Sequence, residues 1–223
     1  MAKLLRLLAG LALLPFCWGV MRAFFDVIVE VAGASGGYGV ETAALLAGVA
    51  AFLLCWLTLS HPVKTYVLGH ELTHALWGLV FGARPSRVRV GRSGGSVRLT
   101  KTNIVIALAP YFFPFYTFLV LLAARVTLFF VRPLPCPPIW MFAVGFTWAF
   151  HVLFTFSALA ETQPDITPYG RVFSWVIIFL VNLLLVLVVL AAVTPLSFPS
   201  LSAAVFGRVA AAYSGVAAFC RWL

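Results

Sequence analysis

Val176-Ile177-Ile178-Phe179-Leu180-Val181-Asn182-Leu183-Leu184-Leu185-Val186-Leu187-Val188-Val189-Leu190 contains a single polar side chain, Asn182. With its flanks the run extends from about Arg171 to Val193, close to the ~20 residues that a helix needs to cross ~30 Å of hydrocarbon. It is not isolated. Comparable apolar runs cover about Leu4 to Val20, Thr42 to Ser60, 62 to 82, Asn103 to Val131 and Ile139 to Ala160. Of the 223 residues, 63% are hydrophobic and 9% are charged, against roughly a quarter charged in an average soluble domain. The mean hydropathy is +1.08. No soluble fold of this size can hide so much apolar surface, so the sequence predicts an all-α polytopic membrane protein of about six transmembrane helices.

The net charge of +9 comes from 15 Lys and Arg against 6 Asp and Glu. In a soluble chain such a balance suggests nucleic acid. Here the basic residues lie mostly between apolar runs, which excludes nucleic acid as the expected partner and favours lipid headgroups of the bilayer. Positive charges fall on both sides of any alternating topology and assign no orientation. Lys3 and Arg6 precede Leu-rich sequence, but no small-x-small cleavage site follows, so the first segment is read as retained. Cys17, Cys55, Cys136 and Cys220 are widely spaced and suggest neither a thiolate metal site nor a disulfide framework. No oligomeric state follows from the sequence.

A single domain is expected over 1–223. Asp26, Glu30, Gly36-Gly37 and Glu41 make a polar stretch after the first segment, read as a loop. Pro62 opens the third helix, where its missing N–H is tolerated. Pro110 and Pro114 interrupt the run from Asn103 to Val131 and predict a kinked or broken helix. Between them and the third helix lies the least apolar piece, 84–101. There Val88 and Val90 alternate with Arg, Val97 and Leu99 alternate with Ser96, Arg98 and Thr100, and Gly91 to Gly95 supplies a turn. That is a β-hairpin with one apolar and one basic face. The tail, 200–223, is expected to lie at the interface or to form a weak further span.

The third helix carries His70-Glu71-Leu72-Thr73-His74. Residues four apart share a helix face, so both imidazoles can be offered to one metal ion, with Glu71 beside the first. The pattern suits zinc, whose catalytic sites use three protein ligands and keep a position open, while a neighbouring Glu serves as base toward water. Burying three such side chains in an apolar helix is costly unless they pair or bind metal. Simple interhelical hydrogen bonding by His70 and His74 leaves Glu71 without a purpose. Gly69, Ala75, Gly78 and Gly82 allow close packing of this helix. His61 lies too far along the axis to share the ion. Downstream only His151, Glu161 and Asp165 remain, so a third ligand is expected on the fifth helix or in the loop after it.

Gly69-His70-Glu71-Leu72-Thr73-His74-Ala75-Leu76 in an apolar helix, followed by a hairpin, a helix and a distal Asp before a further helix, resembles the site-2 protease family of intramembrane zinc metalloproteases. The resemblance covers roughly 62–185. It implies a zinc metalloendopeptidase cleaving membrane-anchored protein substrates, with His70, His74 and Asp165 as ligands and Glu71 as base. In that family the distal ligand sits in an Asp-Gly motif, whereas here four residues separate Asp165 from Gly170. Glu161-x-x-x-Asp165 also fits membrane proteases similar to the CAAX prenyl proteases, in which the Glu is the ligand, although Pro164 interrupts the helix which that pattern requires. His151, mid-helix, is the third candidate. The hairpin can pair with an extended substrate by strand addition or bind anionic lipid as a basic loop. Outside the enzyme class, the alternative is a non-proteolytic membrane protein holding a structural or transported zinc.

Overall fold

The computed structural model describes residues 1–34, 39–91, 94–193 and 197–222. They are mostly helical: α1 (Ala2–Ala12), α2 (Leu14–Ala34), α3 (Val40–Thr58), α4 (Val63–Val80), α5 (Ile104–Phe112), α6 (Phe115–Phe130), α7 (Pro137–Ala160), α8 (Arg171–Val193) and α9 (Phe198–Trp222). Strands β1 (Pro85–Val90) and β2 (Gly95–Leu99) form a two-stranded antiparallel sheet. Five stretches among the described residues are helical, long and apolar enough to cross a membrane: Lys3–Glu30, Val40–Thr58, Pro137–Ala160, Arg171–Val189 and Phe198–Trp222. The pair α5 and α6, bent by 75°, makes a sixth if counted as one broken span.

This set differs from the sequence expectation in two places. The tail forms α9, a full-length apolar helix, whereas α4 is absent from the set because Lys64, His70, Glu71 and His74 lower its hydropathy. The polar stretch read as a loop is also partly helical. Asp26 and Glu30 continue α2, and Glu41 sits in the first turn of α3; Gly36-Gly37 lie outside the described residues. Asp26 is tolerated on an apolar helix because Arg208 of α9 donates to both of its oxygens, at 2.6 and 3.0 Å. A bidentate ion pair of this kind offsets much of the cost of a carboxylate at bilayer depth.

By its internal packing the chain divides into two compact units. The first comprises 1–36 and 164–223. Its core joins Cys17, Val20 and Val27 of α2 to Val176, Leu180 and Leu187 of α8 and to Leu201 and Val209 of α9. The second comprises 37–163 and is built on the α3–α7 pair, where Phe52, Ala149, Phe150 and Phe154 form the centre. Here the backbones nearly touch. A Cβ at Gly48 would strike the carbonyl of Phe142, and one at Gly145 would strike that of Leu45. Only glycine permits this approach, which replaces side-chain burial with backbone packing between two apolar helices.

The broken helix has the cause its prolines predict. Asn103 caps α5 by accepting from Ile106 N at 2.9 Å, and α6 restarts after Pro114. In the hairpin, Pro85 faces Leu99, Ser86 faces Arg98, Arg89 faces Ser96 and Val90 faces Gly95. Between Ser86 and Arg89 the register shifts, and Arg87 adopts φ 50°. That bulge sets two β1 residues against Val97 alone. It returns Val90 to the face of Val97 and Leu99 and leaves Arg89 and Arg98 together on the other. The turn residues Arg92 and Ser93 lie outside the described residues.

Candidate metal centre

On α4 the residues Val67, Glu71, His74 and Gly78 recur at the three- and four-residue spacing of one helix face, and all are buried. The hairpin covers this face. Leu99 of β2 lies against Gly78, and Gly95 lies against Val67 and Glu71. A Cβ at Gly95 would meet Val67 Cγ1 at 2.6 Å and Glu71 Cγ at 2.8 Å, so the strand can pass beside the glutamate only because position 95 has no side chain. Glu71 is thereby held under the hairpin at 6% exposure.

His74 is oriented from α5. Its Nδ1 lies 2.9 Å from the carbonyl oxygen of Ile106. A carbonyl only accepts, so Nδ1 carries the proton and Nε2 presents its lone pair. The availability of this carbonyl follows from sequence. In an α-helix the N–H of residue 110 would bind it, and residue 110 is proline, which has no N–H. Pro110 thus leaves an acceptor on a buried helix, and His74 takes it. His70, one turn earlier, has the hydroxyl of Tyr66 at 3.4 Å from Nδ1, and its ring meets those of His74 and Tyr111 edge-on at 4.9 and 5.2 Å.

His70 and His74 thus present two imidazoles from one face of α4, with Glu71 beside the first, a pair able to donate to one metal ion. Two such imidazoles, with His74 fixed in the ligating tautomer, suit zinc, whose sites take neutral nitrogen donors. Asp165, the third ligand expected from the sequence, belongs to the other compact unit. Asp165 lies in a turn at 164–169, where the N–H groups of Tyr169 and Gly170 both bond to the carbonyl of Ile166 at 3.0 and 3.1 Å. Gly170 closes the turn at φ 91°, a conformation that favours glycine, before α8 begins. The turn's carbonyl at Pro168 accepts from Arg6, whose guanidinium also lies 5.3 Å from the ring centre of Tyr169.

The rival ligands fall elsewhere. Glu161 is the exposed C-cap of α7, and the helix ends before it, so the unbroken turn required for Glu161-x-x-x-Asp165 is not formed. His151 is buried on α7. It lines, with Tyr66, Gly69, His70, Thr73 and Tyr116, a cavity of about 20 Å³, enough for about one water molecule. His151 therefore borders the same cavity as His70. His61 stacks on Trp56 and bonds to its backbone carbonyl at 3.1 Å. Asn182 bonds to the carbonyl of Ile178 one turn earlier at 2.8 Å.

Reasoning from the sequence missed three residues that shape the centre: Pro110 with the carbonyl of Ile106, Gly95, and Tyr116. Pro110 carried a signal, since any proline inside a helix frees the carbonyl four residues before it. Comparison with protein-family models, with curated proteins and with solved structures found no match for this chain.

Proposed function

We propose that this chain is a multi-pass membrane metalloprotease that holds zinc through His70, His74 and Asp165, similar to the site-2 protease family. It hydrolyses peptide bonds of membrane-anchored protein substrates within or beside the bilayer. The observation that carries this reading is the pair of imidazoles of His70 and His74, 4.9 Å apart between ring centres, with Glu71 buried beside the first under the hairpin. A carboxylate buried next to two such imidazoles has a task in an open catalytic site, as base toward water, and none in a closed structural one. When bound, zinc supplies Lewis acidity toward the scissile carbonyl and acidity to water.

The protein's own side chains do the rest. Glu71 accepts the proton of the attacking water and delivers it to the departing amine. The Ile106 carbonyl holds His74 in its ligating tautomer. The hairpin roofs Glu71 and excludes bulk water from it, and its position beside that carboxylate supports binding of an extended substrate along the strand.

The test separates chemistry from metal binding. Purified protein in detergent is expected to carry about one zinc per chain. Glu71→Gln is expected to keep that metal while cleavage of a membrane-spanning substrate falls by about 100-fold or more. Undiminished cleavage by Glu71→Gln overturns the proposal.

A further inference from the structure

We infer that the apolar cavity enclosed by α3, α4, α6 and α7 is a specificity pocket for a bulky apolar side chain of the substrate, adjoining the bond that is cut. The inference rests on the protease reading above. The cavity has a volume of about 410 Å³ and an almost wholly apolar lining that includes Phe52, Cys55, Trp56, Phe146, Tyr116 and Phe150. That size lies within the range of about 300–1,000 Å³ typical of ligand pockets.

Its position gives it a role. Tyr116 and Phe150 line both this cavity and the small one beside His70, so the two spaces share a wall. The wall is held from several directions. Tyr116 donates to the carbonyl of Thr65 at 2.6 Å, and Phe150 meets its ring edge-on at 5.5 Å. Gly69, the residue before His70, admits the Tyr116 ring; a Cβ there would lie 2.7 Å from Cε2. An extended peptide sets its side chains ~3.3 Å apart on alternating sides. When its backbone passes His70, a neighbouring side chain is therefore carried across the Tyr116/Phe150 wall into the larger space.

A lipid tail is the competing occupant of any apolar cavity in such a protein. The exposed part of the lining argues for peptide. Ser60 and His61, exposed at the α3–α4 connection, are polar members of the lining, and the His61 ring stacks on Trp56 at 3.8 Å. Such polar groups suit a peptide backbone.

Cys55 gives an experimental handle, because it is half-buried in this lining while Cys17 is buried and Cys136 and Cys220 are exposed. In the full chain with Cys136→Ser and Cys220→Ser, butyl methanethiosulfonate converts the Cys55 thiolate to a butyl disulfide with release of methanesulfinate. The substrates are membrane-spanning model peptides that differ at one position near the cleaved bond, with Ala, Leu, Phe or Trp. Before modification, Phe and Trp peptides are expected to be cut at least about tenfold better than the Ala peptide. After it, that preference is expected to disappear and to return on treatment with a thiol reductant. Zinc content and cleavage of the Ala peptide report that the centre is intact. A preference that survives butylation, or the absence of any preference, overturns the inference.

A binding arm keeps the pocket testable apart from catalysis. In Glu71→Gln protein, Phe and Trp peptides are expected to slow Cys55 modification several-fold, and the Ala peptide is not. That pattern in a protein whose unsubstituted form cuts nothing upholds the pocket and discards the protease reading. Protection by phosphatidylglycerol vesicles, with no effect of any peptide, assigns the cavity to lipid and overturns the inference.

Discussion

The Nδ1 atom of His74 meets the carbonyl oxygen of Ile106 at 2.9 Å, and that oxygen is the one that Pro110, four residues further along α5, leaves without a helical donor. A helix break is thus converted into the group that orients His74. Pro110→Ala restores an N–H that competes for the same oxygen. Zinc affinity is expected to fall by about 10-fold or more, the usual effect of losing a group that orients a metal-bound histidine. A zinc titration against a competing chelator, with helix content followed by circular dichroism, checks it. Unchanged affinity would show that His74 needs no such support.

The paired histidines are the most direct test of the metal. Because His70 and His74 supply the two imidazoles of the proposed centre, the His70→Ala, His74→Ala double variant is expected to purify without zinc. Metal analysis beside the unsubstituted protein decides the matter. Equal zinc in both would end the metal-centre reading.

The carboxylates separate the two protease patterns. Asp165 is the proposed third ligand, whereas Glu161 is an exposed helix cap. Asp165→Ala is expected to weaken zinc binding and abolish cleavage. Glu161→Ala is expected to leave both near their original level. The reverse outcome would transfer the third ligand to Glu161 and favour the CAAX-protease-like arrangement.

The contact between the hairpin and Glu71 has its own signature. A methyl group at position 95 would lie within 2.8 Å of Glu71 Cγ, Val67 Cγ1 and the Arg89 carbonyl. Gly95→Ala must therefore lift β2 or displace the glutamate, at a cost of about 1–3 kcal/mol. Proteolysis is expected to fall while bound zinc persists, since the nearest contacts at Gly95 are to Val67, Glu71 and Arg89 and not to a histidine. A thermal-shift series combined with metal analysis distinguishes this from general unfolding.

Much of the candidate site was legible in advance. His70 and His74 share a face because a helix has 3.6 residues per turn, and neither hydropathy nor helix identity depends on what packs nearby. The long apolar runs announced their helices for the same reason, and Pro114 its break. The hairpin's alternation was visible as well, but not the bulge at Arg87 that shifts its register between Ser86 and Arg89.

The sequence by itself therefore determined the membrane-compatible helices, the HELTH face and the short list of third ligands, because each follows from local composition or spacing within one element. Tertiary structure decided the remainder. The donor from His74 to Ile106 spans 32 residues of sequence, and Glu71 and Gly95 lie on different elements. Asp26 could continue an apolar helix only because Arg208, from the far end of the chain, meets it. Such pairings arise when separate elements pack, and packing selects among partners that spacing along the chain leaves equivalent.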